Sequence, residues 1–325
     1  MFRAIKTLSF LCIVFVEGML IQKATAETGL DVEYAEHFPL ATESMLLDIT
    51  QAGETFVAVG ERGHVVISTD GENWQQVEVV PTRSTLTTVF SYGERIWAGG
   101  HDAVIITSGD GGKTWTREFF DPDRQQAVMD IVFTDENNGV AIGSYGLYMR
   151  TSDGGQTWED APVDAENDYH LNSMVLFGEG KRIIAGEAGY SYRSYDDGNT
   201  WEAIEMPYQG SMWGALKTDG ECVLFYGLRG HVLESCDFGS SWAELDTNSE
   251  SSISGAVEHE GLVVLAANSG TLLIRDDGGI FTTYHHSSSG DFSSVLSLGD
   301  GNFLLVGEDG VNKYPETTDK GDRDD

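Results

Sequence analysis

Residues 57–74 read VAVGERGHVVISTDGENW: an apolar run, a glycine turn, a second apolar run and an Asp-Gly turn that ends in Trp74. The same pattern returns along the whole chain. Its first glycine, replaced once by alanine, recurs every 40 to 43 residues, at Gly60, Gly100, Gly143, Gly186, Gly227, Ala267 and Gly307. The aspartate of the turn recurs with matching spacing, at Asp70, Asp110, Asp153, Asp196, Asp237 and Asp277. Because two independent markers keep one period, the chain is built from seven repeats.

Each repeat has the length of one four-stranded propeller blade. In the first copy we predict strands over residues 45–49, 55–59, 64–68 and 76–80, and helical periodicity is absent throughout. The predicted fold is therefore all-β: a seven-bladed β-propeller of four-stranded blades over residues 27–315.

The prolines predict how the ring closes. Pro81, Pro122, Pro162 and Pro207 each follow a fourth strand, and Pro39 lies in register with this series. The seventh repeat stops at Tyr314-Pro315 without an Asp turn. We therefore predict that residues 31–38 supply the missing fourth strand of blade seven. The N-terminal strand would then close the ring and remove an open sheet edge.

The two ends of the chain predict segments outside the propeller. Arg3 and Lys6 precede the apolar run 8–16, and residues 24–26 read Ala-Thr-Ala, so residues 1–26 predict a secretory signal peptide. Export to the periplasm is expected, or to a lumen in a photosynthetic organism. No later stretch reaches the roughly 18 apolar residues of a membrane helix, so no span is expected after cleavage. The acidic residues 316–325 predict a disordered tail.

The charge of the chain limits the classes of partner. The sequence has 53 Asp and Glu against 19 Lys and Arg, a formal net charge of −34. Binding nucleic-acid phosphates requires clustered Lys and Arg, so nucleic acid is excluded as a partner. A basic patch on another protein is the electrostatic complement of this chain. We expect a monomer that binds a protein.

The Asp turn resembles the Asp box, or BNR repeat, of sialidases and their relatives. Its aspartate accepts backbone hydrogen bonds inside the turn, and its tryptophan buries a large area between strands. We therefore interpret these residues as structural, at a corner of each blade: Asp70 and Trp74, Asp110 and Trp115, Asp153 and Trp158, Asp196 and Trp201, Asp237 and Trp242, and Asp277.

Over residues 31–314 the chain also resembles the Ycf48/Hcf136-like family of photosystem II assembly and stability factors. The likeness runs through residues 57–60, 140–143 and 184–186, which repeat the apolar run before the glycine turn. The resemblance implies an exported seven-bladed propeller that binds a membrane-protein partner. It also implies a protein that catalyses no reaction and needs no cofactor.

Few residues suggest a site. Arg62 and Arg229 occupy equivalent turns, each followed by a histidine, and one further histidine lies nearby in the second repeat. These residues are candidates for a binding surface on one rim: Arg62, His64, His101, Arg229 and His231. The alternative is that they are solvated turn residues.

The central channel offers two further candidate residues, and the sequence offers no metal motif. Asp48 and Asp130 lie on first strands, which line the central channel. Their carboxylates either bind a cation or a basic peptide, or form hydrogen bonds with neighbouring strands. The sequence contains no metal-ligand spacing and no nucleotide-binding motif, so neither a metal nor a cofactor is expected.

Two cysteines are spaced for a disulfide. Cys222 and Cys236 are symmetric about residue 229, the centre of the hairpin between the second and third strands of the fifth repeat. Residues that face each other in this way have Cβ atoms about 4.5–5.5 Å apart, and oxidising compartments permit a bridge. A disulfide between them is therefore a hypothesis.

These observations favour a non-enzymatic, exported propeller that binds a membrane or envelope protein as an assembly or stability factor. One alternative is a sialidase-like Asp-box glycoside hydrolase or a sugar-binding propeller, which requires paired carboxylates about 5–10 Å apart. A second alternative is an accessory protein of an envelope transporter.

Overall fold

The structure is a computed structural model that describes residues 32–276 and 279–316. Within these residues the chain forms seven antiparallel sheets and no α-helix. The predicted all-β, seven-bladed propeller is confirmed. No helix in the described part is long and apolar enough to cross a membrane.

The sheets take their strands in chain order, from the innermost to the outermost strand. Blade one contains β1 to β4, at Leu46–Ala52, Thr55–Gly60, Val65–Ser68 and Gln75–Gln76. Blade two contains β5 to β8, at Leu86–Tyr92, Arg95–Gly100, Ile105–Ser108 and Thr116–Phe119. Blade three contains β9 to β12, at Val128–Phe133, Gly139–Gly143, Tyr148–Thr151 and Glu159–Asp160. Blade four contains β13 to β16, at Leu171–Gly178, Lys181–Gly186, Tyr190–Ser194 and Glu202–Glu205.

The remaining blades follow the same order. Blade five contains β17 to β20, at Met212–Lys217, Val223–Gly227, Val232–Ser235 and Ala243–Leu245. Blade six contains β21 to β24, at Ile253–His259, Leu262–Ala267, Thr271–Arg275 and Phe281–His285. Blade seven contains β25 to β27, at Phe292–Gly299, Asn302–Gly307 and Gly310–Tyr314. Single 3-10 turns lie at Ala41–Glu43, Glu61–Gly63, His101–Ala103, Pro122–Arg124, Ser144–Gly146, Asp219–Glu221 and Leu228–Gly230.

The core lies between the blades. The first strand of each blade contacts the first strand of the next, and β25 contacts β1, which makes a ring. The second strands are buried on both faces, as in β2, where all six residues of TFVAVG are buried. A buried apolar cluster joins each pair of neighbouring blades in the described residues. A run without polar alternation is what a strand packed on both faces requires.

The ring closes differently from the prediction. Within the described residues blade seven has three strands, and residues 32–38 form no strand. These residues lie instead against the outer edge of blade one, where the Ala35 N–H donates to the Val80 carbonyl at 3.0 Å. The Gln76 side chain holds them further: its Oε1 accepts from the Phe38 N–H at 2.9 Å, and its Nε2 donates to the Glu36 carbonyl at 2.9 Å.

Apolar packing joins the last blade to the first. Ala41, Leu46 and Phe56 pack with Leu304 and Val306 of blade seven. The ammonium group of Lys313 also pairs with the Glu72 carboxylate of blade one. The spacing of the prolines predicts where residues 31–38 lie along the chain. It does not predict which sheet edge they join, because that depends on hydrogen bonds with residues such as Gln76.

The predicted signal peptide, residue 31 and residues 317–325 of the predicted tail lie outside the described residues. Glu316 is described. Its carboxylate accepts hydrogen bonds from the Tyr284 hydroxyl at 2.6 Å and from the Ser287 N–H at 3.0 Å.

Candidate functional site

The Asp boxes share one bonding pattern in the four full-length copies that the structure describes, at Asp110, Asp153, Asp196 and Asp237. In the shorter first copy the Asn73 side-chain amide donates to Asp70 Oδ2 in place of a hydroxyl, and Asp277 lies outside the described residues. In blade four, Asp196 Oδ1 accepts from the Thr200 N–H at 2.8 Å and from the Ser194 hydroxyl at 2.9 Å. Its Oδ2 accepts from the Thr200 hydroxyl at 2.7 Å. Both carboxylate oxygens are therefore used inside the turn.

The electrostatics of the boxes agree with this geometry. The hydrogen bonds from the Ser241 hydroxyl and N–H lower the pKa of Asp237 to about 2. Such a carboxylate stays ionised and neither donates nor receives a proton near neutral pH. The box tryptophans pack between strands, and the Trp115 indole donates to the Gly112 carbonyl at 2.8 Å. The boxes form part of the scaffold.

A second repeated feature lies in the turns between the second and third strands, which we call the rim turns. Their central residues adopt a left-handed backbone with φ between 53° and 59°: Arg62, Asp102, Tyr145, Ala188, Arg229 and Ser269. Five of these turns open with a glycine that packs against backbone, and the blade-six turn opens with Ala267. A Cβ on Gly60 would lie 2.2 Å from the Met45 carbonyl oxygen, and one on Gly143 would lie 1.9 Å from that of Ala127. The turns thus have a fixed backbone and variable side chains.

The structure places the candidate rim residues in three different turns. Arg62 lies in blade one, His101 in blade two and Arg229 in blade five, and all three are exposed. Blades one and five are not adjacent in the ring, so the two arginines belong to separate parts of the rim. The Arg62 guanidinium lies 5.3 Å from the centre of the Phe38 ring.

The two histidines that follow the arginines are held by neighbouring groups. His64 is 2% exposed, and its Nδ1 lies 3.0 Å from the Ser44 hydroxyl. Burial lowers the pKa of His64, which favours its neutral form. His231 stacks on Tyr208 with ring centres 4.0 Å apart, and its Nδ1 lies 2.6 Å from Glu244 Oε1. His64 is therefore a buried packing residue, whereas His231 is half-buried at the rim.

The channel carboxylates bind neighbouring blades. Asp48 accepts from the Val89 N–H of blade two at 2.8 Å and from the Ser294 hydroxyl of blade seven at 2.8 Å. Asp130 accepts from the Met174 N–H of blade four at 2.8 Å. Burial raises the pKa of Asp48, and burial together with the charge of Asp48 raises that of Asp130 to about 6. Among the described residues no group of three His, Cys, Asp or Glu side chains could hold a metal ion.

The structure joins Cys222 and Cys236 in a disulfide, with Cα atoms 4.0 Å apart. Cys222 directly precedes β18 and Cys236 directly follows β19, and these strands pair in an antiparallel hairpin. The bridge therefore links the two ends of this hairpin next to the Asp box of blade five.

The comparisons with known proteins agree with this architecture. A sequence model of the family described as "Photosynthesis system II assembly factor YCF48" matches residues 118–320, more than half of the chain. The chain belongs to the Ycf48 family. No curated protein sequence matches it significantly.

Solved structures share the fold of this Ycf48-family chain at low sequence identity. "YCF48 bound to D1 peptide" is 18% identical with a TM-score of 0.70, over 86% of this chain and 98% of that one. "YCF48 from Cyanidioschyzon merolae" is 20% identical with a TM-score of 0.67, over 86% and 96%. A streptogramin B lyase is 12% identical with a TM-score of 0.73, over 87% and 96%.

Sequence reasoning missed one feature of the rim in this Ycf48-family chain. Two aromatic pairs, Tyr145 with His170 and Tyr169 with Tyr190, lie where blades three and four adjoin. Tyr145 lies in a rim turn, at the position of Arg62 and Arg229, and this equivalence was the available signal. Tyr190 lies four residues after Gly186, at the position of His64 and His231, so the period also pointed to it. Tyr169 and His170 lie in the segment that links blades three and four, where the period gave no signal.

Proposed function

We propose that this chain is an exported, non-enzymatic propeller that binds a segment of a membrane or envelope protein and acts as an assembly or stability factor. Membership of the Ycf48 family carries the proposal. A relative of the same fold has been solved as "YCF48 bound to D1 peptide", so this fold presents a surface to a peptide in that protein.

The geometry supports binding rather than catalysis. The aspartates of the described Asp boxes are occupied by turn hydrogen bonds, and Asp48 and Asp130 bind neighbouring strands. The rim turns, in contrast, hold different side chains on a rigid frame. Variable side chains on a fixed scaffold are a common basis of recognition.

Export is part of the proposal. The predicted leader at residues 1–26 would direct it, and a Cys222–Cys236 disulfide persists in oxidising compartments such as the periplasm. Sequencing the N-terminus of the protein isolated from its native cells tests this point. We expect Glu27 as the first residue, and an intact Met1 would contradict export through this leader.

Capture from native membranes tests the binding function. The full-length chain with a C-terminal tag is expressed in its own cells, purified from detergent-solubilised membranes after mild crosslinking, and its partners are identified by mass spectrometry. We expect one membrane protein in stoichiometric amount. Recovery of nothing above an unrelated tagged exported protein would contradict the proposal, and recovery of glycosides or transporter subunits would favour the alternatives.

A further inference from the structure

Two pairs of aromatic rings lie on the rim and are joined through the consecutive residues Tyr169 and His170. We call these four residues the aromatic junction: Tyr145, Tyr169, His170 and Tyr190. Tyr145 meets His170 edge-on with ring centres 4.9 Å apart, and Tyr169 stacks on Tyr190 at 3.8 Å. Tyr145 is 56% exposed and Tyr190 is 36% exposed. The junction therefore presents aromatic surface to solvent on an otherwise highly charged protein.

Hydrogen bonds between three segments hold the junction. The Gly146 N–H of the blade-three rim turn donates to the Tyr169 carbonyl at 3.1 Å. The His170 N–H donates to Glu187 Oε1 at 2.8 Å, and the Glu187 N–H donates to the His170 carbonyl at 3.2 Å. Because these bonds tie the linking segment to both rim turns, the rings are ordered before any partner arrives. A preformed surface binds without the cost of ordering its side chains.

Carboxylates surround the rings. Glu187 lies in the blade-four rim turn, with its Oε2 3.7 Å from His170 Nδ1. Asp168 is exposed beside Tyr169, and Glu205 pairs directly opposite Tyr190 in the β15–β16 ladder and is also exposed. The hydrogen bond with Tyr190 raises the pKa of Tyr169, and the charges of Glu187 and Asp168 raise it further. The rings therefore lie in a negative potential.

We propose that the aromatic junction binds lysine or arginine side chains of a partner protein. The faces of tyrosine rings carry negative charge and attract cations, and nearby carboxylates add ion pairs. The formal net charge of −34 attracts a basic segment toward the chain at long range. This inference rests on the proposed function, because it names the surface and the partner chemistry by which that binding would occur.

A purified-protein measurement tests the chemistry. The probe is a fluorescein-labelled peptide of alternating glycine and arginine, and the comparison peptide carries citrulline, which keeps the shape of arginine without its charge. Binding is followed by fluorescence anisotropy at physiological salt, where exposed charges are largely screened. We expect Tyr190→Ala to weaken arginine-peptide binding by about fivefold or more. The citrulline peptide should bind weakly to every variant.

Matched controls separate the junction from the general negative charge. Asp168→Asn with Glu187→Gln keeps the side-chain shapes and should also weaken binding by about fivefold. Glu179→Gln removes a charge at the opposite end of β14, and Tyr92→Ala removes a tyrosine that is 43% exposed in the β5–β6 hairpin. We expect both controls to stay within about twofold of the wild type. Equal losses in control and junction variants, or preferential binding of glycans to the junction, would overturn the proposal.

Membrane capture with the same variants distinguishes the two proposals. If the wild type recovers a partner and the variant carrying Asp168→Asn and Glu187→Gln recovers several-fold less, both stand. If the two proteins recover the partner equally, the junction is not its binding site and the proposed function survives. If the wild type recovers no partner although the junction binds the arginine peptide, the proposed function fails and the chemistry of the junction stands.

Discussion

The Asp boxes and the rim turns lie at different positions in the same repeat and show opposite kinds of variation. In the described Asp boxes the side chains are nearly constant, and their polar atoms bond within the turn. In the rim turns the backbone is nearly constant, with φ close to 55°, while the central side chain changes from arginine to aspartate, tyrosine, alanine and serine.

This difference distinguishes side chains that stabilise the scaffold from side chains that are available for recognition. A side chain that repeats because its atoms are used internally contributes to stability. A side chain that varies on a fixed backbone is free to meet another molecule. We therefore expect substitutions to lower stability strongly at the boxes and blade interfaces, and only weakly at the rim.

The largest effect is expected for an Asp-box tryptophan. Trp115 is 8% exposed and packs in the cluster between blades one and two. Trp115→Ala removes this packing and should lower the free energy of unfolding by about 3–5 kcal/mol. Denaturant unfolding followed by circular dichroism measures it.

The control for this prediction is an exposed tryptophan. Trp213 is 39% exposed at the start of the inner strand of blade five. Trp213→Ala should cost less than about 1 kcal/mol. Similar losses for both substitutions would show that box tryptophans have no special structural role.

The next effect concerns blade five, whose hairpin ends carry the disulfide where blade one has Thr55 and Thr69. Replacing both Cys222 and Cys236 by serine opens a closed loop of about 15 residues and should lower the free energy of unfolding by about 3 kcal/mol. Reductant should produce the same loss in the wild type and no further loss in the variant. An equal response of both proteins to reductant would contradict this role.

The channel provides a pH-dependent test. The pKa of Asp130 is raised to about 6, above the value of about 3.9 in an unfolded chain. The folded state therefore holds its proton more tightly, so the stability from this group is present below about pH 4 and is lost as pH rises through about 6. Asp130→Asn should remove this loss, worth about 2–3 kcal/mol.

Thermal unfolding of wild type and Asp130→Asn from about pH 4 to about pH 8 measures this difference. The variant should become relatively more stable as pH rises. A difference that stays constant with pH would show that Asp130 keeps an ordinary pKa.

The smallest effect is expected at a rim turn. Ala188 is exposed with φ of 53°, a backbone region that is unfavourable for residues with a Cβ. Ala188→Gly should raise the free energy of unfolding by about 0.5–1 kcal/mol. Differential scanning calorimetry detects the shift, and a lower melting temperature would contradict the argument.

The sequence predicted the seven blades because Gly60 and Asp70 recur with their equivalents at one period. It did not predict that residues 32–38 join blade one, because that position depends on hydrogen bonds that their N–H groups donate to Gln76 and Val80. His64 was placed on the rim by its neighbour Arg62, yet Phe38 and Ser44 from the N-terminal segment cover it.

The aromatic junction shows a different limit of the sequence. Its rings come from a rim turn, a linking segment and a third strand, and no repeated position contains all of them. The repeat in the sequence identifies only the features that all blades share. A site built between two particular blades depends on contacts across their interface, which the period does not specify.

Two exposed tyrosines allow the most direct test of scaffold against recognition. Tyr145 is 56% exposed in a rim turn, and Tyr195 is 48% exposed in the Asp box of blade four. Each is replaced by a photo-crosslinking phenylalanine analogue in the tagged chain, and native membranes are irradiated before purification. We predict a covalent adduct with the membrane partner from position 145 and none from position 195. An adduct from position 195 alone would contradict the assignment of recognition to the rim.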